Sequence, residues 1–117
     1  NRVVLDLGYD ADKHDLSVAG LRLDGAEAFA AIIRRHPQVE RVVCGHVHRF
    51  MQICFGGTML CTAPSTATAI ALRLRPDANA ASHLEPPAFL LHHWKQGTGL
   101  VTHFVPIGTF QGPYSFA

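Results

Sequence analysis

Charge is what this chain has least of. Asp, Glu, Lys and Arg make up 16 % of its 117 residues and leave a formal net charge of +1. The ordinary charged share is about 25 %. So weakly charged a chain has no broad basic face for a nucleic-acid polymer. It also lacks an apolar run approaching the ~20 residues of a membrane-spanning helix, and a charged-then-apolar leader, so no membrane partner is expected. Cysteines are few, and Cys44, Cys54 and Cys61 show no C-x-x-C spacing. They read as buried thiols in a reducing compartment rather than a disulfide frame, which points to the cytoplasm.

What is present suits one domain or a substantial part of one, since 48 % of the residues are hydrophobic and can build a core. Low charge leaves part of the surface apolar, as a subunit interface or a piece of a larger domain would. Eight histidines are many for this length, and the question is which of them are ligands.

Residues 1–20 form a poorly defined start. Val3-Val4-Leu5 reads as a short strand, followed by a polar loop. His14, flanked by acids there, is a candidate ligand beside the commoner reading of a solvated loop histidine. Residues 21–36 carry the clearest helix. Asp24 is a suitable N-cap with Glu27 three residues on, and Ala26, Phe29, Ala30, Ile32 and Ile33 make an apolar stripe. Arg34, Arg35 and His36 suit the negative end of the helix dipole, and Pro37 stops the helix. Val39-Glu40-Arg41-Val42-Val43-Cys44 then reads as a buried strand.

Residues 51–55 and 58–62 read as a hairpin whose Gly56-Gly57 supplies the positive φ of a tight turn. After the small-residue loop Ala63-Pro64-Ser65-Thr66-Ala67-Thr68, Ala69-Ile70-Ala71-Leu72-Arg73-Leu74 alternates enough to be a strand. Residues 75–87, with Pro76, Asn79, Pro86 and Pro87, form a loop or insertion. Residues 88–94 and 99–105 make a second hairpin around Lys95-Gln96-Gly97-Thr98. The tail, with Phe110, Tyr114 and Phe116, is expected to be extended and to lie against another surface. The fold class is α/β, with one main helix and about six strands.

The strongest chemical signal is Gly45-His46-Val47-His48-Arg49, placed where ligand groups gather at strand C-terminal ends in α/β sheets. On an extended segment residues two apart point the same way, so His46 and His48 are expected to converge. Neutral imidazole is the commonest ligand for first-row metals, although H-x-H also occurs in ordinary strands. Arg49 adds a fixed charge, as a loop anchor or facing a phosphate.

Helix, Arg35-His36-Pro37, strand and Gly45-His46-Val47-His48-Arg49 loop together resemble the last metal-ligand region of the calcineurin-like metallophosphoesterases. The likeness is to the bacterial class III cyclic-nucleotide phosphodiesterases and the glycerophosphodiesterases grouped with them. It continues through Thr62-Ala63-Pro64-Ser65, Ala88-Phe89-Leu90-Leu91-His92 and Gly112-Pro113-Tyr114. The resemblance implies a two-sheet sandwich flanked by helices, of which this chain is the C-terminal part. It also implies two metal ions of the iron, manganese, zinc or cobalt class that clamp a small phosphodiester and activate a water. His46 and His48 would be ligands, one to each metal.

The family's ordered series of D-x-H, G-D, G-N-H and H-H-P-P ahead of the Gly-His-Val-His loop does not occur here. Two imidazoles cannot close a tetrahedral site, so the chain is expected to be the C-terminal region of a longer phosphodiesterase and inactive by itself. Residues 21–75 would be core, and 76–117 a cap or dimerisation element that pairs copies through the C-terminal strands. A non-catalytic interaction module is the competing reading, and a single zinc held between two chains by their H-x-H pairs a third. Among the other histidines, His92 and His93 are adjacent and face opposite sides of a strand, one packed beside Trp94 and the other exposed. His103 reads as structural, His36 as a helix end and His83 as a loop residue that could reach the site. Cys44 reads as a buried thiol rather than a nucleophile.

Overall fold

A computed structural model describes residues 25–75 and 77–116. The expected Val3-Val4-Leu5 strand, His14 and the Asp24 cap lie outside the described residues. Helix α1 spans Ala26–Arg34 and buries Ala30 and Ile33, two positions of the expected stripe. Its N-cap is Gly25, at φ 83 and with no side-chain capping bond. Glycine enters the left-handed region at no steric cost, which is what this start requires. At the other end Arg35 and His36 donate their N–H groups to Ile32 and Ile33 carbonyls at 3.0 and 2.9 Å. These i→i−3 bonds tighten the last turn. The helix ends short of His36, because the residue before a proline is sterically pushed out of helical geometry.

Three strands form the main sheet: β1 (Arg41–Cys44), β2 (Met51–Phe55) and β3 (Thr58–Thr62). Their order is β1-β3-β2, with β3 parallel to β1 and antiparallel to β2. Gly56 and Gly57, at φ 59 and 87, make the β2–β3 turn; two positive φ values match the right-handed twist of a hairpin. Alternation along β1 buries Val42 and Cys44, which meet Leu60 of β3 and Ile33 of α1. Phe29, Val39 and Phe55 surround that cluster, and the Phe29 and Phe55 rings stand 5.3 Å apart. β1 begins two residues later than expected. Cys54, expected to be buried, is exposed, because β2 is the sheet's edge and the middle of that strand is uncovered.

The expected six-residue strand beginning at Ala69 is only β4, Ala69–Ile70, paired antiparallel with β5, Ser82–His83. Leu72 and Leu74 are exposed, so the alternation that suggested a longer strand finds no core to bury into. β5 was not anticipated inside the proline-containing loop. The described residues therefore hold one helix and seven strands in three small sheets.

The second hairpin, β6 (Ala88–Lys95) and β7 (Gly99–Pro106), forms as expected with Ala88 opposite Pro106 and Lys95 opposite Gly99. One of its faces is fastened to the main sheet. Trp94 Nε1–H and the Leu100 N–H donate to the two Glu40 carboxylate oxygens at 2.8 and 2.7 Å. The Arg41 guanidinium donates to Thr102 Oγ1 at 2.9 Å, and the rings of Phe50 and Phe104 lie 5.8 Å apart. On the other face Phe89, Leu91 and Val101 are exposed, as are Phe110, Tyr114 and Phe116 in the tail. No helix among the described residues is long and apolar enough to cross a membrane.

Candidate metal centre

The site is built on the six residues between β1 and β2. β3 lies between those two strands, so the chain must reverse and step across roughly 10 Å, two inter-strand spacings. A short connection can do this only with sharp local turns. His46 and His48 make them, at φ 71 and φ 50. The Val47 N–H donates to the Gly45 carbonyl at 2.9 Å, closing a three-residue γ-turn about His46. Histidine tolerates the left-handed region better than most side chains, yet such positions carry strain that clusters at functional sites. The expected extended path through Gly45-His46-Val47-His48 is thus corrected: the imidazoles are aimed by two left-handed residues, not by strand alternation. Both side chains are exposed.

The loop is tied off at its base. Thr62, fully buried, donates its hydroxyl hydrogen to the Arg49 carbonyl and accepts from the Met51 N–H at 2.9 Å. The Ala63 N–H donates to the Cys44 carbonyl at 2.7 Å. One end of β3 therefore clamps the entrance and exit of the histidine loop.

His48 is further fixed through its ring. Nδ1 lies 3.0 Å from the Thr68 carbonyl oxygen. A carbonyl can only accept, so the proton sits on Nδ1 and the Nε2 lone pair is left for a ligand. Holding one ring nitrogen in this way is how proteins orient a metal-binding imidazole. The Ile70 N–H donates to the His48 carbonyl at 3.2 Å. Arg49 then bridges outward, donating Nε–H to the Ile70 carbonyl and pairing with Glu85 Oε1 at 2.7 Å. That arrangement makes Arg49 a loop anchor. Thr68 and Glu85 were not singled out by sequence. A backbone carbonyl leaves no residue-type signal, and an ion-pair partner 36 positions away leaves no spacing signal.

The remaining histidines stand elsewhere. His83 lies across from Ala69 in the β4–β5 pair, next to Thr68. His92 and His93 face Thr102 and Val101, and both are exposed, where only one of the two was expected to be. His92 Nδ1 is 2.9 Å from Thr102 Oγ1. His103 is exposed on β7 opposite Leu91, and His36 follows the helix. Cys44 is buried, its sulfur 3.7 Å from the Cys61 carbonyl.

Among the described residues no group of three or more His, Cys, Asp or Glu could hold a metal ion. His46 and His48 therefore do not close a metal site with other side chains of the described residues.

No protein-family profile matches the chain. Over 92 residues it is 41 % identical to a probable glycerophosphodiester phosphodiesterase, GpdQ, of Arcobacter nitrofigilis, covering 79 % of this chain and 34 % of that protein. Over 58 residues it is 41 % identical to the 3',5'-cyclic adenosine monophosphate phosphodiesterase CpdA of Vibrio vulnificus, covering 45 % of this chain and 21 % of that protein. The matched part is thus about a third of the first relative and a fifth of the second. The chain belongs to the metallophosphoesterase family of phosphodiesterases and corresponds to its C-terminal part.

Proposed function

We propose that this chain is the C-terminal region of a dinuclear-metal phosphodiesterase acting on 3',5'-cyclic nucleotides or glycerophosphodiesters. The observation that carries the reading is His48, whose proton is held on Nδ1 by the Thr68 carbonyl, in a Gly-His-Val-His loop at the end of β1. The relatives, one a glycerophosphodiesterase and one a cAMP phosphodiesterase by name, support the substrate classes. The metals, when bound, supply Lewis-acid charge against the phosphoryl oxygens and a water of lowered pKa for in-line attack. This chain's part is to present the two imidazoles, one to each ion, and to hold their orientation through Thr68, Thr62 and Arg49. The remaining ligands would come from outside it. The described sheets are then portions of the intact two-sheet sandwich, and the chain by itself binds metal weakly and turns over little.

Residues 76–117 complete the proposal as a cap or dimerisation element, with a second copy of the chain as the partner. The uncovered face bearing Phe89, Leu91 and Val101 supports this, since a two-stranded ribbon is marginal alone in water.

The experiment is His46→Ala with His48→Ala, reading manganese uptake and oligomeric mass. Lost uptake with unchanged mass is expected. Unchanged metal content with intact assembly would favour a non-catalytic interaction module. Turnover of bis(p-nitrophenyl) phosphate by the purified chain at kcat values on the order of 1–10³ s⁻¹ would overturn the incomplete-site reading.

A further inference from the structure

The His48 tautomer depends on one backbone carbonyl, in a stretch where Thr66, Ala67 and Thr68 are all exposed. Such a carbonyl stays in place only if the chain around it is held. β4 supplies little, being two residues long and paired with an equally short β5. Besides the Ala71 N–H bond to the Ala81 carbonyl at 2.8 Å and the burial of Ala69 and Ala71, it is fastened by Arg49, the neighbour of His48. One guanidinium reaches both sides of the β4–β5 arm: Nε–H donates to the Ile70 carbonyl in β4, and the terminal amino group pairs at 2.7 Å with Glu85, just past β5. The Ile70 N–H returns to the His48 carbonyl at 3.2 Å. Thr68, Ile70 and Glu85 are thus joined to two consecutive residues of the histidine loop.

We propose that Glu85, acting through Arg49, is a positioning residue that sets the proton position and orientation of the His48 ring. The Arg49 side chain is 17 % exposed and that of Glu85 44 %, so the cation is the more covered partner. Without the carboxylate it turns toward water and releases the Ile70 carbonyl. Thr68, two residues upstream, then loses its register against Nδ1, and the ring is free to adopt the other tautomer. The two bonds leave the guanidinium in different directions, a geometry that a lysine ammonium does not reproduce.

The consequence for metal binding rests on His48 being a ligand, but the tautomer itself does not. The test therefore reads both. Nitrogen-15 spectra of the histidine rings in the metal-free 117-residue chain should show His48 with its proton on Nδ1. Glu85→Ala should move it toward the Nε2–H form, and Glu85→Gln, which keeps an acceptor oxygen, should move it part of the way. Arg49→Lys should behave like Glu85→Ala. Zinc alone, titrated into the same samples, should bind about 10- to 100-fold more weakly to Glu85→Ala, the usual loss when the group orienting a metal-bound imidazole is removed. An ion pair this exposed does not hold a fold together, so the circular dichroism of Glu85→Gln should be unchanged. An unaltered His48 tautomer in both Glu85 variants would overturn the proposal, as would zinc affinity within twofold of the parent while His48→Ala abolishes it. Should His48→Ala leave zinc binding intact, the ligand reading falls and the tautomer shift alone decides the positioning role.

Discussion

Replacing Thr62 by valine tests whether the histidine loop is clamped from below. The change keeps the side chain's shape and removes only the hydroxyl, at a position with 0 % exposure. Two backbone groups then lose their partner: the Arg49 carbonyl, which accepts from Oγ1, and the Met51 N–H, which donates to it at 2.9 Å. A net hydrogen bond is worth about 1 kcal/mol, and a polar group left short in the interior costs about 1–3 kcal/mol. Both bonds are only partly buried, so water relieves some of the loss, and a total of about 2 kcal/mol is expected. Thr62→Ser is the counterpart, keeping both hydrogen bonds and giving up one methyl, at about 0.8 kcal/mol. Urea unfolding with an unchanged m-value would supply the stabilities. Hydrogen exchange at the Met51 amide would supply the local readout. The valine variant should lose protection there and the serine variant should not. If valine is as stable as threonine and the Met51 amide stays protected, the clamp does not exist as described.

Three further outcomes follow from the packing. Gly56→Ala would place a Cβ 2.8 Å from Ile33 Cβ and 2.9 Å from the Ala30 carbonyl at φ 59, so overpacking of about 1–3 kcal/mol adds to left-handed strain of about 1–2 kcal/mol. Gly57→Ala meets nothing within 4 Å and should cost only the strain, so equal thermal shifts for the two would contradict the placement of the turn against α1. Glu40→Gln leaves one acceptor oxygen for two donors, Trp94 Nε1–H and the Leu100 N–H, and should cost about 0.5–1.5 kcal/mol and red-shift the emission of the chain's single tryptophan; an unmoved emission maximum would show that Glu40 does not fasten the hairpin. The Asp77 carboxyl is held below the ordinary aspartate range first by the Arg75 guanidinium and then by its own backbone N–H. Its small contribution is therefore present above the ordinary aspartate pKa and lost as pH falls through the lowered one. Carboxyl titration by NMR should show the midpoint rising in Arg75→Gln.

Local chemistry made several elements legible. The apolar stripe of α1, the Gly-Gly hairpin and the long β6–β7 pair all depend on neighbours within a few residues, and formed where the pattern placed them, except that Ile32 of the stripe is exposed. The misreadings share a cause. Residues 69–74 alternate like a strand, but alternation marks a strand only where one face is covered, and there the chain runs exposed after Ala71. Cys54, and one of His92 and His93, read as covered on the same local grounds, although edge position and sheet facing decide burial.

The histidine motif divides in the same way. The sequence by itself determined that His46 and His48 follow an apolar strand with a glycine between, and the residue types alone mark imidazole chemistry and the metallophosphoesterase family. Only the tertiary structure decided how the rings are aimed. The order β1-β3-β2 forces the loop to reverse across β3, which puts both histidines in left-handed backbone. Thr62, Thr68, Arg49 and Glu85 then fix the result, Glu85 reaching Arg49 across 36 positions of sequence. Spacing along the chain reports which groups can converge; the proton on a ring nitrogen is set by whichever acceptor the fold brings to it.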